Sequence, residues 1–271
     1  MTHPETPTEE AALDSALRSI AQTPTLLVAL DFDGTLAPEV DSPGAARAIP
    51  EAVTAIERLL AMPHTRVALI SGRAAASLIE VASPARTVLL VGSHGVETRL
   101  DTAEVELDLT AEDRTRVAAL RRTLDAAIDG LAQVWIETKP AGFAVHTRLA
   151  TADDTRIAHE RVLAGTAMLQ PLTMRSGKNV IEFSVREDTK GDAVRRLRDH
   201  TGATAVFFAG DDVTDEDGFA ALVAGDLGMK IGEGDTHANV RVSEPADVAQ
   251  VLHRLADLRA ATADTPGSDF R

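Results

Sequence analysis

The chain predicts an α/β fold: a Rossmann-like parallel sheet flanked by helices, with an α+β cap inserted into it. Three observations carry that prediction. Short apolar runs alternate with helical patterns toward both ends of the sequence. The middle abandons this alternation for a long helix and paired strand patterns. Clusters of Asp, Gly, Ser and Lys fall directly after apolar runs or at the heads of helices. Strands joined by helical crossovers give the first pattern, and such sheets take ligands at the carboxyl ends of their strands.

In chain order, apolar runs between turn residues predict strands at Leu26 to Leu30, Arg66 to Ile70, Val88 to Val91, Ala205 to Ala209 and Gly228 to Ile231. Apolar residues at three- and four-residue spacing predict helices at Glu51 to Leu60, Ala74 to Val81, Lys190 to His200, Glu216 to Ala224 and Ala246 to Arg259. The insertion reads as a long helix, Glu112 to Ile128, a hairpin-like pair at Val134 to Glu137 and Phe143 to Arg148, a helix at Thr155 to Ala164, and strands at Leu172 to Arg175 and Val180 to Phe183. Two helices and about four strands in roughly 75 residues make a cap over the active edge of the sheet. The expected division is a discontinuous core, 1–108 with 185–271, and a cap, 109–184, with flexible termini at 1–20 and 261–271.

Composition narrows the classes of function. A hydrophobic fraction of 44% over 271 residues supplies a core without staples, and the absence of cysteine excludes thiol catalysis, thiolate metal sites and disulfides. Lys and Arg number 27 against 42 Asp and Glu, a net charge of −15 with no basic block, so nucleic acid is not an expected partner. No apolar run approaches the roughly 18 residues of a membrane helix, and the N-terminus lacks the basic and apolar regions of a signal peptide. The expected setting is the cytoplasm, without membrane association, and a monomer is compatible with the pattern. One Trp, seven Phe and no Tyr leave few aromatic platforms for bases or sugars.

The chemistry begins at Asp31-Phe32-Asp33-Gly34-Thr35, directly after the first strand. Side chains alternate along a strand, so Asp31 and Asp33 start on one face before Gly34 lets the chain turn away. Asp31 can attack phosphorus and carry the phosphoryl group, while Asp33 exchanges a proton with the leaving oxygen and then with water. Ser71-Gly72-Arg73 follows the second strand, where a hydroxyl and backbone amides can hold a phosphate oxygen. Lys190 opens a helix and can neutralise the phosphoryl group and orient Asp31. Gly210-Asp211-Asp212-Val213-Thr214-Asp215 supplies carboxylates for Mg2+, assigned to Asp31, the Asp33 carbonyl and Asp211. Thr35, Asp212 and Asp215 form a supporting layer, with the two carboxylates holding waters or Lys190. Each cluster by itself is also compatible with a helix cap or an acidic turn, and their order and placement together favour chemistry.

These four clusters resemble the motifs of the haloacid dehalogenase superfamily of phosphohydrolases. From about Leu26 to Arg259 the chain is more closely similar to the trehalose-6-phosphate phosphatase family, through Gly210 to Asp217 and the loop Gly92-Ser93-His94-Gly95-Val96-Glu97. In the cap, Glu137-Thr138-Lys139, His146-Thr147-Arg148 and Gly177-Lys178 with Glu182 keep the family's spacing. The resemblance implies Mg2+-dependent hydrolysis of trehalose 6-phosphate in trehalose biosynthesis through an aspartyl-phosphate, with cap closure excluding water. It also implies that Arg73, His94, Lys139, His146, Arg148, Lys178 and Glu182 contact the sugar phosphate. One departure follows Glu182: the family has a basic residue and then Pro, and this chain has Phe183-Ser184-Val185. Two other readings stay open, a phosphatase for another sugar phosphate such as sucrose or mannosylglycerate phosphate, and a catalytically silent sugar-phosphate-binding regulator of a synthase. The silent form is expected to lack Asp31, Asp33 or Lys190, all of which are present.

Overall fold

Strict alternation of apolar side chains builds the core from its central strand outward. In β1 (Leu26–Leu30) every residue is buried: Leu26, Val28 and Leu30, with Phe32 just beyond, enter one core layer, and Leu27 and Ala29 enter the other. The pattern repeats in β2 (Thr65–Ile70), where Val67 and Leu69 oppose Ala68 and Ile70. In β10 (Ala205–Gly210) Phe207 opposes Phe208. Strands buried on both faces require such continuous apolar runs. With β3 (Leu89–Gly92), β4 (Glu97–Arg99), β11 (Leu227–Ile231) and β12 (Val240–Val242), they form a sheet running β12-β11-β10-β1-β2-β3-β4, parallel except for β4.

This computed structural model describes residues 9 to 263 apart from 41, 170 and 178. The chain divides into two units, Met1–Val105 with Thr189–Arg271, and Glu106–Asp188. In the first unit, α1 (Glu9–Ala21), α2 (Pro50–Leu60), α3 (Ala75–Ala82) and α8 (Pro245–Ala263) cover one layer through Leu17, Leu59, Leu78 and Leu252. The other layer is closed by α6 (Lys190–Thr201) and α7 (Asp215–Ala220) through Val194, Leu197 and Phe219. Phe208 and Phe219 meet edge-to-face at 5.2 Å. Each such buried aromatic contributes about 1.5–3 kcal/mol of transfer free energy.

Several boundaries differ from the sequence expectation. The segment to residue 20, expected to be flexible, contains α1, whose Leu17 and Ile20 are 2% exposed. Leu13, Leu17 and Ile20 lie at helical spacing, but so short a stripe is stabilised by α8 and the sheet rather than by its own propensity. At the other end α8 continues to Ala263, three residues into the expected tail, and the rest of that tail lies outside the described residues. Helix α7 stops at Ala220 instead of Ala224, because the following turn is held by Asp226, which accepts from the Val223 and Val206 amides at 2.8 and 2.9 Å. Strands β4 and β12, three residues each, are too short to stand out as periodic patterns.

The second unit starts with β5 (Glu106–Leu107) and α4 (Ala111–Ile128) and continues with β6 (Trp135–Lys139), β7 (Gly142–His146), α5 (Ala152–Thr166), β8 (Thr173–Gly177) and β9 (Val180–Ser184). Its antiparallel sheet runs β6-β7-β9-β8. Phe143, Val145, Ile181 and Phe183 are buried, as are Leu120, Leu124 and Val162 on the two helices. The Arg121 guanidinium of α4 lies 5.5 Å from the Phe143 ring, which fixes the helix-facing side of the sheet. Thr110 and Asp113 cap α4 reciprocally, each satisfying the other's backbone amide. Strand β7 ends at His146, not at Arg148: the Thr147 amide still donates to the Asn179 carbonyl at 2.9 Å, and the chain then turns, with the Ala150 amide donating to the Thr147 carbonyl at 3.0 Å. Among the described residues, no helix is long and apolar enough to cross a membrane.

Candidate active site

Parallel strands deliver their carboxyl ends to one edge, and the first unit gathers its chemistry there. The ladder runs one residue past β1 and β2: the Asp31 amide donates to Ala209 and the Ser71 amide to Val91, both at 2.9 Å. Asp31 is therefore held by backbone pairing and is only 4% exposed. Gly34 then turns with φ +73°, and a β-carbon there would lie 2.0 Å from Asp211 Oδ2, so no larger residue fits. The close approach lets Thr35 Oγ1 donate to Asp211 Oδ1 at 3.1 Å.

Lys190 is the first residue of α6, whose N-terminus is locked by the Thr189–Asp192 capping box. Its Nζ donates at 2.7 Å to Asp31 Oδ1 and at 2.7 Å to Asp215 Oδ1. Asp215 has no exposed surface, and its second oxygen accepts from the Asp212 amide at 3.0 Å. Asp212 itself is exposed and accepts from the Val213 amide at 2.7 Å, so it shapes the turn while Asp215 holds the lysine.

The electrostatics of this cluster call for more positive charge. Burial pushes the Asp31 carboxyl well above the ordinary carboxylate value; the Lys190 ammonium pulls it back, and the charges of Asp215 and Asp211 add to the rise. Asp211 is raised by burial and by Asp215. Burial opposes the charge on Lys190, yet Asp31 and Asp215 outweigh it and raise its pKa, so the ammonium persists. Oxygens of Asp31, Asp211 and Asp215 lie within 4.8 Å of one another, a hard-ligand set compatible with a divalent cation. Because both Asp215 oxygens already accept hydrogen bonds, Asp31 and Asp211 are the better ligands of the three.

Ser71 is buried, and its Oγ accepts from the Arg73 amide at 3.1 Å. Arg73 grips Asp33 with two bonds of 2.6 Å, to Oδ2 and Oδ1. The structure thus joins Arg73 to the proton-exchange candidate, whereas the sequence reading set it toward substrate. Gly72 lies under the His94 imidazole: a β-carbon on it would come within 2.7 Å of that ring. His94 and Ser93 adopt left-handed φ of +59° and +49°. Their loop is tied down by Glu97 Oε2, which accepts from Ser93 Oγ and from the Ala75 amide of α3, each at 2.8 Å.

In the second unit, Glu137 accepts from Lys139 Nζ at 2.7 Å and pairs with His146 Nε2 at 2.8 Å. Pairing register sets Glu137 opposite Ala144, and Ala144 opposite Glu182, so these carboxylates share the face away from Phe143. Arg148 lies exposed in the turn after β7, off the strand on which it was expected. Lys178 lies outside the described residues.

Residues 29–251 match the model of the trehalose-phosphatase family. The chain belongs to that family. Over 253 residues it is 30% identical to a bifunctional trehalose-6-phosphate synthase/phosphatase of Thermoproteus tenax, covering 91% of this chain and 34% of that protein. A trehalose-phosphate phosphatase of Mycobacterium avium is 33% identical over 246 residues, 85% of this chain and 62% of that protein. The chain thus spans less than two-thirds of the length of these curated relatives. A solved trehalose-6-phosphate phosphatase of Aspergillus fumigatus is similar with a TM-score of 0.69 and 25% identity, covering 90% of this chain and 97% of that one. A solved sugar phosphatase of the haloacid dehalogenase superfamily is similar in fold, with a TM-score of 0.54 and 13% identity over 84% of this chain and 96% of that one.

Two features of this trehalose-phosphatase family member escaped the sequence reading. Glu97 received no role, although a carboxylate closing the loop Gly92 to Glu97 was a readable signal. Arg175 stands in register with Glu182 on β8, a neighbour that only strand pairing reveals.

Proposed function

We propose that the chain hydrolyses trehalose 6-phosphate to trehalose and phosphate through an aspartyl-phosphate. The observation that carries the reading is the buried Asp31, fixed by the sheet ladder and by Lys190 at 2.7 Å, beside the carboxylates of Asp211 and Asp215. Asp31 attacks phosphorus and takes the phosphoryl group. Asp33 exchanges its Arg73 partner for the departing sugar oxygen, delivers a proton to it, and then accepts one from the attacking water. Lys190, the Ser71 hydroxyl and the Gly72 amide balance phosphoryl charge. Asp31, the Asp33 carbonyl and Asp211 are the residues to hold Mg2+, which supplies positive charge when bound. Sugar recognition is assigned to His94 in the first unit and to Lys139, His146, Arg148, Lys178 and Glu182 in the second.

The test is phosphate release from trehalose 6-phosphate beside sucrose 6-phosphate, mannosylglycerate phosphate and an aryl phosphate, with and without Mg2+. Trehalose 6-phosphate is expected to lead the panel, and Asp31→Asn to abolish release. Release at the wild-type rate from Asp31→Asn refutes the mechanism, and no preference for trehalose 6-phosphate refutes the substrate.

A further inference from the structure

We infer that Trp135 is a specificity-determining contact, an aromatic wall against which a glucose ring of the substrate packs its C–H face; this rests on the proposed sugar-phosphate reading. The chain has one Trp and no Tyr. Phe32, Phe143, Phe183, Phe207, Phe208 and Phe219 are all buried, which leaves Trp135, at 40% exposure, as the one accessible large aromatic among the described residues. An indole left in water on a strand that offers a helix-facing core side is unfavourable unless something covers it.

Its surroundings fit a pyranose. Trp135 pairs in register with His146, and the two rings stack at 4.9 Å and 9°. The same face carries Glu137 and Lys139 along β6, with the small Ala144 and Gly142 opposite them on β7 and Glu182 on β9 beyond. The result is an indole wall, backed on one face by the His146 imidazole, beside a low floor and a set of charged donors and acceptors. A glucose ring is amphipathic in the same sense. Its equatorial hydroxyls radiate toward hydrogen-bonding groups, and its axial hydrogens give a weakly positive face that complements the negative face of an indole. In an α-linked glucose the axial C1 oxygen occupies one ring face, so the opposite face, which carries the axial hydrogens of C2 and C4, is the one to meet the wall.

Since all Trp emission comes from this residue, the full chain reports contact directly. Trehalose titrated into wild type, and trehalose 6-phosphate titrated into Asp31→Asn, are expected to shift the emission saturably, while inorganic phosphate does not. In kinetics, Trp135→Leu is expected to raise KM for trehalose 6-phosphate about tenfold, the size of one lost stacking contact, with kcat and the aryl phosphate KM little changed. Trp135→Phe, which restores a ring, recovers most of the loss. Unchanged emission at saturating sugar, or equal KM values for Trp135→Leu and wild type, overturns the inference. Failure of the substrate reading looks different, because wild type itself then shows no preference for trehalose 6-phosphate.

Discussion

Removing the Lys190 charge tests how the buried cluster is held together. In Lys190→Met an unbranched side chain one atom shorter remains, but Asp31 and Asp215 lose the ammonium that bonds each at 2.7 Å. The lysine side chain is 3% exposed, Asp31 6% and Asp215 0%, so water cannot replace it. Breaking a buried ion pair by removing one partner costs about 3–5 kcal/mol. At roughly 2–4 °C per kcal/mol for a domain of 150–250 residues, Tm should fall by about 6–20 °C. Without Lys190 the influence that holds Asp31 down is gone, so its carboxyl rises further above the ordinary value of 3.8. The folded state then binds more protons than the unfolded state from that value upward, so the variant loses stability as pH rises and recovers it in acid. Asp31→Asn behaves oppositely: a buried charge is removed, Lys190 keeps Asp215, and Tm should equal or exceed wild type. Thermal melts followed by circular dichroism at two pH values, without divalent cations, measure both. A Lys190→Met Tm within 2 °C of wild type, or an Asp31→Asn loss as large as that of Lys190→Met, refutes the account.

Two further outcomes are expected. Glu182→Ala should raise KM for trehalose 6-phosphate several-fold more than for an aryl phosphate; equal effects in steady-state assays remove Glu182 from sugar recognition. The Thr110 amide, donating to Asp113 at 3.0 Å, holds that carboxyl below the ordinary value of 3.8. Its stabilisation of α4 is therefore complete above 3.8 and disappears as pH falls through the lowered folded pKa. Asp113→Asn should accordingly speed hydrogen exchange in the first turn of α4 at pH 7, by the equivalent of about 1 kcal/mol, and make little difference in strong acid; equal exchange at pH 7 counts against the cap.

The residues proposed for phosphoryl chemistry were legible where they are local. Asp31 to Thr35 and Gly210 to Asp215 each follow a run buried on both faces, and a doubly apolar run ending in Asp and Gly can be read without coordinates. The sharing of tasks among the aspartates was not legible. Asp212 and Asp215 are equivalent in composition, yet one shapes a turn and the other holds Lys190, because helix α7 starts at Asp215 and carries it inward. Nor could spacing reveal that Arg73 occupies Asp33, or that Trp135 stacks on His146.

By itself the sequence determined the alternating strands and helices, the residue types at the strand ends and the interruption by a second module, since these follow from periodicity and turn chemistry over a few residues. Only the tertiary structure decided which charges meet. Lys190 reaches Asp31 across 159 residues of chain, Thr35 reaches Asp211 across 176, and Arg73 reaches Asp33 across 40. Those meetings depend on strand order and on where each helix enters the edge of the sheet. Hydrophobic period does not encode either, because it reports which face of an element is buried and not which neighbour buries it.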